Sequence, residues 1–428
     1  MIGITKYSIS VIGLGYVGIP LSSLLALEYN VVGFDVDKSK IDSLRSGKIT
    51  VDEPDLDEYF NRAILDNKLK ITDTPYDIKD TDIKIITVGT PYDNDERKID
   101  TSQLISSLRI VVPQLKKGDI LILKSTVPPG TTMGIVKQMI EENGFKVPQD
   151  IGLVFAPERM IEGRAIKDFK TLPKIIGATD DRSYSITSEV LSSVGGKVIR
   201  VSNPETAEMV KMVDNYSRYV FLGLTNELAL VSEKVGVDVL ELINAAKDEY
   251  PRNSGLLLPG PGVGGSCLNK DPFILQTEMQ KNNLYLKMVE CSKEINDYMP
   301  FHVSELVKKY AKDRTKVTIL GVAFKGDTND TRFTPCFTIQ NDLINNNFSV
   351  KLSDPFVKGE DIIVDIYNSL AKSNIIVLLT DHSVYKEIDL YKVRKIMERN
   401  SLIIDTRGLI DKGMAESIGF EYHGVGRL

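Results

Sequence analysis

Gly13-Leu-Gly-Tyr-Val-Gly18 limits the amino-terminal fold more than any other segment. The apolar run Ser8–Ile12 enters it as a strand, and a helical pattern leaves it. Gly13 allows the tight turn, Gly15 lets a ligand approach the backbone, and Gly18 lets the helix pack close to the strand. Tyr16 and Val17 complete the turn. The free amides and positive dipole end of such a helix suit a pyrophosphate. Asp35 ends the next strand, about twenty residues on, where an acid meets a ribose hydroxyl and would repel a 2′-phosphate. Together these signals predict an NAD-binding, doubly wound α/β domain.

Ile83–Val88 reads as a strand ending at Gly89-Thr90-Pro91, and Asp119–Leu123 as one ending at Lys124-Ser125-Thr126. Gly152–Phe155 is another, before Pro157-Glu158-Arg159-Met-Ile-Glu162-Gly-Arg164. Alternating strands and helices imply right-handed crossovers and a parallel sheet covered on both faces. Ligands bind such sheets beyond the carboxyl ends of the strands, so Thr90, Ser125 and Thr126 are candidate cofactor contacts. Near Asn203 the texture changes. From Pro204 to about Val235 apolar residues recur at three- and four-residue steps, which predicts one long helix. More helix is expected at about 238–247 and at 284–312, the latter interrupted by Pro300. Lys316–Leu320-Gly321 opens a second, smaller α/β unit, with strands at Ser349–Leu352, Ile375–Leu379 and Leu402–Ile404. It lacks GxGxxG, so a second dinucleotide is not expected there, while its strand ends leave room for a different nucleotide.

A chain of 428 residues is too long for one ordinary core. Its net charge of -6 argues against a nucleic-acid or membrane-surface binder. Apolar runs such as Ile375–Leu379 are too short to span a bilayer, and Met1–Tyr7 carries no signal-peptide pattern and runs into a strand. The three cysteines, Cys267, Cys291 and Cys336, form no CxxC pair, which fits a reducing cytoplasm. The three histidines lie outside every motif, so no metal site is expected.

Cys267 stands in Gly260-Pro-Gly-Val-Gly264-Gly-Ser-Cys-Leu-Asn-Lys270-Asp271. Glycines and prolines make a poor core segment and a good close-approach loop. Lys270 can favour the thiolate, the reactive form, and Asp271 can orient a water. Cys291 and Cys336 read as small buried hydrophobes. Lys211 and Asn215 share a face of the long helix, where an ammonium and an amide suit a developing oxyanion. A hydride acceptor and a nucleophilic sulfur in one chain point to aldehyde-level oxidation through a thioester. The residues leave two other readings open: a one-step dehydrogenase with a structural Cys267, and a non-catalytic ligand sensor on the same scaffold.

In order and spacing these motifs, with Asn226-Glu227, Phe324-Lys325 and Asp330-Thr-Arg332, resemble the UDP-glucose/UDP-N-acetylmannosamine 6-dehydrogenase family over nearly the whole chain. The resemblance implies an N-terminal Rossmann NAD-binding domain (1–202), a central helical dimerising and catalytic domain (203–312) and a C-terminal Rossmann-like UDP-binding domain (313–428). It implies a cytoplasmic homodimer that oxidises C6 of a UDP-sugar with two NAD+ and feeds polysaccharide assembly. Cys267 would form the thiohemiacetal and thioester. Lys211 and Asn215 would hold the oxyanion, Asp271 the water, and Thr126 would lie near the nicotinamide. Glu158 and Glu162 would flank the sugar. Arg159, Arg164, Gly264 and Lys325 would contact substrate, Lys270 and Arg332 the cofactor, and Arg252 a neighbouring subunit's sugar. Pro157-Glu158-Arg159, Pro251-Arg252 and the Gly260–Gly265 run resemble the N-acetylmannosamine branch, whereas Ser266 and Lys270 resemble glucose enzymes and Glu162 stands where the acetamido branch often has proline. UDP-N-acetyl-D-mannosamine is therefore the expected substrate, with UDP-N-acetylglucosamine and UDP-glucose as alternatives.

Overall fold

The computed structural model describes residues 7–93 and 98–427. The amino-terminal segment read as leading into a strand lies, up to Lys6, outside them. The chain forms two compact units: residues 1–214 with 277–282, and residues 215–276 with 283–428.

The first unit is built on eight strands. They are β1 (Ser8–Ile12), β2 (Asn30–Phe34), β3 (Leu69–Thr72), β4 (Ile83–Ile86), β5 (Ile120–Leu123), β6 (Gly152–Phe155), β7 (Lys174–Ala178) and β8 (Val198–Val201). Their spatial order is β8-β7-β6-β5-β4-β1-β2-β3. From β3 to β6 all pairs are parallel. The expectation of a wholly parallel sheet fails at one edge: β7 runs antiparallel to β6, held by only the pairs Val154–Ala178 and Phe155–Gly177. So short a pairing leaves no periodicity for a sequence to display. Side chains alternate between two cores. Ile120 and Ile122 enter one, Leu121 and Leu123 the other, as a sheet covered on both faces requires.

The turn after β1 is tightly determined. Gly13 takes φ +97°, and a Cβ on Gly18 would lie 1.9 Å from the Gly13 carbonyl oxygen. A Cβ on Gly15 would meet no protein atom within 4 Å, which leaves open space at the helix start. The long helix is Pro204–Val235, as its periodicity predicts. Asn203 caps it, its Oδ1 accepting from Thr206 N at 2.8 Å, and Pro204 supplies the preset first turn.

In the second unit, helices Val239–Lys247 and Lys287–Ala311, with residues 271–276 of helix Asp271–Gln280, precede a six-stranded parallel sheet. Lys287–Ala311 runs through Pro300 without a break, contrary to expectation. The proline ring costs one backbone bond, yet it lies where Gly262 has no side chain to displace it. Cys291 also departs from expectation: it is exposed on the solvent side of this helix, while Val289 and Ser292 turn inward. Cys336 is buried, which pushes its thiol pKa up.

The strands are β9 (Lys316–Leu320), β10 (Ser349–Ser353), β11 (Ile362–Ile363), β12 (Ile375–Leu378), β13 (Leu402–Asp405) and β14 (Glu421–Gly424), in the order β11-β10-β9-β12-β13-β14. This repeats the winding of the first sheet, third-second-first-fourth-fifth-sixth. The repetition reaches single residues. Gly321 follows β9 with φ +102°, as Gly13 follows β1. Asp354 follows β10, as Asp35 follows β2.

The two acids differ in use. Asp354 is fully buried, and its oxygens accept from the amides of Val322, Ala323, Phe356 and Val357 at 2.7–3.1 Å. His382 Nε2 lies 3.0 Å away, while His382 Nδ1 accepts from Asp327 N, so Nε2 carries the proton toward Asp354. Burial alone would raise this carboxyl; the His382 and amide bonds outweigh it and bring it down to about 2.

Two outcomes follow. Gly18→Ala should force the first turn apart, lowering the melting temperature and abolishing the thermal shift produced by NAD+; both are read by scanning fluorimetry. Asp354→Asn should cost about 3 kcal/mol at neutral pH. The folded-state pKa of Asp354 is depressed, so its stabilisation is present above about pH 4 and lost as pH falls through about 2. The melting gap between Asp354→Asn and the parent protein should therefore close on acidification.

Candidate active site

Within the first unit, the polar groups gather beyond the carboxyl ends of the strands. Asp35 is 7% exposed, and one of its oxygens accepts from Leu14 N at 2.8 Å and from Lys40 Nζ at 2.7 Å. Its other oxygen accepts from Asp37 N at 3.0 Å. The carboxylate is thus fixed beside the glycine turn. With the space at Gly15, these residues fit a dinucleotide: Gly13–Gly18 would receive the pyrophosphate and Asp35 a ribose.

The adjacent loops are stitched to one another. Ser125 Oγ donates to Val88 O at 2.6 Å, and Thr90 Oγ1 donates to Thr126 O at 2.6 Å. The chain after Thr126 is held by Glu208, a buried acid on the long helix. Its carboxylate accepts from Gly130 N, Thr132 N and Thr132 Oγ1 at 2.5–2.8 Å. Burial raises the Glu208 carboxyl despite those bonds.

The Pro157–Arg164 loop is equally constrained. Glu158 Oε1 accepts from Arg159 N at 2.8 Å and Met160 N at 3.0 Å, and Oε2 lies 3.3 Å from Lys124 Nζ. Lys124 is buried at the end of β5 and also donates to Ala156 O at 3.0 Å. Lys174 is buried nearby, and burial lowers its ammonium to about 8 while Glu158 pulls it back up. Arg159 makes a two-toothed pair with Asp214 of the long helix, at 2.6 and 3.0 Å. Arg164 is half exposed and faces Asp168 at 3.4 Å. Glu162 is half-buried on the same loop. Glu53 closes the far side: its two oxygens accept from Gly163 N at 2.8 Å and Ala165 N at 3.0 Å. Lys124, Lys174, Glu53 and Asp214 were not selected from the sequence. Lys124 alone left a signal, since it opens the Lys124-Ser125-Thr126 motif.

In the second unit, Cys267 is exposed in a turn before helix Asp271–Gln280, and its carbonyl accepts from Asp271 N at 2.9 Å. Asp271 is buried, and Asn215 Nδ2 donates to its Oδ2 at 2.6 Å. Asn215 therefore orients Asp271 directly, a contact its helical spacing could not announce. Lys270 Nζ lies 3.9 Å from Asp271 Oδ1. The glycine run packs closely: a Cβ on Gly264 would fall 2.4 Å from Phe324, and Gly265 N donates to Arg332 O at 2.9 Å. Arg332 itself is gripped by Asp330 at 2.5–3.0 Å. Lys325 is half-buried in the loop after β9, and Arg252 is exposed in a short turn at Pro251–Asn253. Arg407, absent from the sequence reading, donates to Leu379 O at 2.7 Å and approaches Gly260. Among the described residues, no group of three or more His, Cys, Asp or Glu side chains could hold a metal ion, and no helix is long and apolar enough to cross a membrane.

Comparison with known proteins matches three family models in order along the chain. They describe the UDP-glucose/GDP-mannose dehydrogenase family: its NAD-binding domain at residues 7–194, its central domain at 205–298 and its UDP-binding domain at 318–412. A UDP-N-acetyl-D-mannosamine dehydrogenase from Methanocaldococcus jannaschii is 34% identical over 98% of this chain and 96% of its own length. The solved structure of a UDP-D-ManNAc dehydrogenase from Pyrococcus horikoshii superposes with a TM-score of 0.89 at 31% identity, covering 98% of this chain and 99% of that one. An NDP-N-acetyl-D-galactosaminuronic acid dehydrogenase from Methanosarcina mazei gives 0.87 at 31% identity, covering 98% and 95%. The chain belongs to the UDP-glucose/GDP-mannose dehydrogenase family and is an NAD-dependent UDP-sugar dehydrogenase, an oxidoreductase.

Proposed function

We propose that this chain oxidises UDP-N-acetyl-D-mannosamine at C6 to UDP-N-acetyl-D-mannosaminuronate, a four-electron change. The observation that carries the reading is exposed Cys267, whose carbonyl accepts from the amide of buried Asp271. Bound NAD+ supplies the hydride acceptor for each of the two oxidations. The first leaves an aldehyde at C6. The Cys267 sulfur then adds to that carbon, and the resulting thiohemiacetal loses the second hydride to become a thioester. Water cleaves the C–S bond, which frees the uronate and restores the thiol. Addition of sulfur is needed because an aldehyde carbon gives up hydride readily only after a nucleophile has joined it, and the bond also retains the intermediate.

Lys211 and Asn215 stabilise the oxyanion in this scheme. Asp271, held by Asn215, orients the hydrolytic water. Glu158 and Glu162 lie beside the sugar, with Lys124 neutralising Glu158. Arg159, Arg164, Gly264 and Lys325 contact substrate. Tyr16, Val17, Thr90, Ser125, Thr126, Lys270 and Arg332 contact the cofactor. The three functional regions are 1–202 for NAD, 203–312 for dimerisation and catalysis, and 313–428 for UDP. A cytoplasmic homodimer supplying polysaccharide assembly completes the reading, with Arg252 reaching the second subunit's sugar. Exposed Leu224, Val231 and Val235 on the long helix support such pairing.

Arg159 and the acetamido sugars in the relatives' names support an N-acetyl substrate. Purified protein offered UDP-N-acetylmannosamine, UDP-N-acetylglucosamine and UDP-glucose should reduce NAD+ fastest with the first, followed as absorbance of NADH. A much faster reaction with UDP-glucose would overturn the sugar assignment. Two NADH should form per sugar. Cys267→Ser should abolish uronate while substrate binding persists by calorimetry; uronate production at the parent rate would remove the thioester from the mechanism.

A further inference from the structure

Asn226 is buried on the long helix with 1% exposure, three turns beyond Asn215, or about 16 Å along the axis. Its Oδ1 accepts from Gly260 N at 2.9 Å, where the glycine run begins. Its Nδ2 donates to Asn296 Oδ1 at 2.9 Å. Asn296 is 2% exposed and donates to Tyr219 O at 3.4 Å, closing a polar bridge between two helices. Asn215 grips the other end of the same loop through Asp271. Between these anchors, Asn269 Nδ2 donates to Val263 O at 3.0 Å and Gly265 O at 2.9 Å. The loop thus takes its shape from three amide side chains, and two of them sit on a single helix.

We propose that Asn226 is a positioning residue for Cys267: paired with Asn215, it fixes both ends of the cysteine loop on one rigid element and so sets where the sulfur stands. The inference rests on the reading of Cys267 as the nucleophile. Gly260 lies in the buried stretch Pro259–Pro261, where water cannot replace the lost acceptor. The backbone there has few other means of staying in place, because glycines and prolines carry little packing of their own.

The test compares Asn226→Leu with Asn226→Asp. Leucine removes the acceptor at similar volume, whereas aspartate keeps an acceptor for Gly260 N and can receive the Asn296 amide once that amide turns over. Peptide-resolved alkylation by iodoacetamide reads Cys267, with Cys291, exposed on another helix, as internal control. In Asn226→Leu the alkylation rate of Cys267 should shift by about tenfold and kcat should fall tenfold to hundredfold, with KM for the UDP-sugar changed little. Cys291 should label as before, and Asn226→Asp should recover most of both losses. The proposal is overturned if Cys267 labelling and kcat in Asn226→Leu stay within about twofold of the parent, or if both cysteines change together, which would mark general loosening. Labelling does not depend on turnover, so it still reports on the loop if Cys267→Ser proves that the sulfur is not the nucleophile.

Discussion

A glycine-rich loop has no side chains with which to pack itself, so its shape must be imposed on its backbone from outside. This chain meets that constraint with buried acceptors. Glu53 takes the amides of Gly163 and Ala165, Glu208 those of Gly130 and Thr132, Asp354 those of Val322 and Ala323, and Asn226 that of Gly260. Each sits on a different element from the loop it holds. The arrangement carries an energetic penalty, visible in the raised carboxyls of Glu53 and Glu208, where burial disfavours the charge. Retention of charged acceptors under that penalty is understandable when each amide left bare and buried would itself cost about 1–3 kcal/mol.

The two sheets use one winding for different ends. After β2, Asp35 spends its oxygens on two backbone amides and Lys40, and it keeps slight exposure beside the open space at Gly15. After β10, the corresponding Asp354 is wholly enclosed and saturated by four amides and His382. The first acid keeps an edge toward solvent; the second is a structural clamp. Lys325 and Arg407 lie beyond the strand ends of the second sheet, so cations remain there where the acid has been consumed. The lack of GxGxxG in the second half is thus matched by a change in the acid's employment.

Much of the architecture was legible because it rests on local chemistry. The turn at Gly13–Gly18 and the acid at Asp35 are each written within a few residues, and the periodicity from Pro204 to Val235 lies along one continuous stretch. The edge reversal at β7 was not legible, since two residue pairs hold it. Pro300 misled because proline's rule for helices is local, whereas the helix from Lys287 to Ala311 is held along its whole length by packing that the rule does not see. Cys291 misled for a similar reason: a cysteine's type does not say which face of a helix it occupies. In the site, Cys267, Lys211 and Asn215 stood out by type and neighbourhood, whereas Glu158 entered only through the family resemblance. Glu53 and Asp214 did not, because their partners are remote along the chain and only folding reveals them.

Glu53 also bears on how such sites can be rebuilt. The Pro157–Arg164 loop does not carry its own support; part of that support lies about a hundred residues upstream, in the connection that contains Glu53. Grafting the loop alone from a relative transfers only the visible half of a two-part device. A chimaera would keep the donor's loop geometry only if the upstream connection travelled with it.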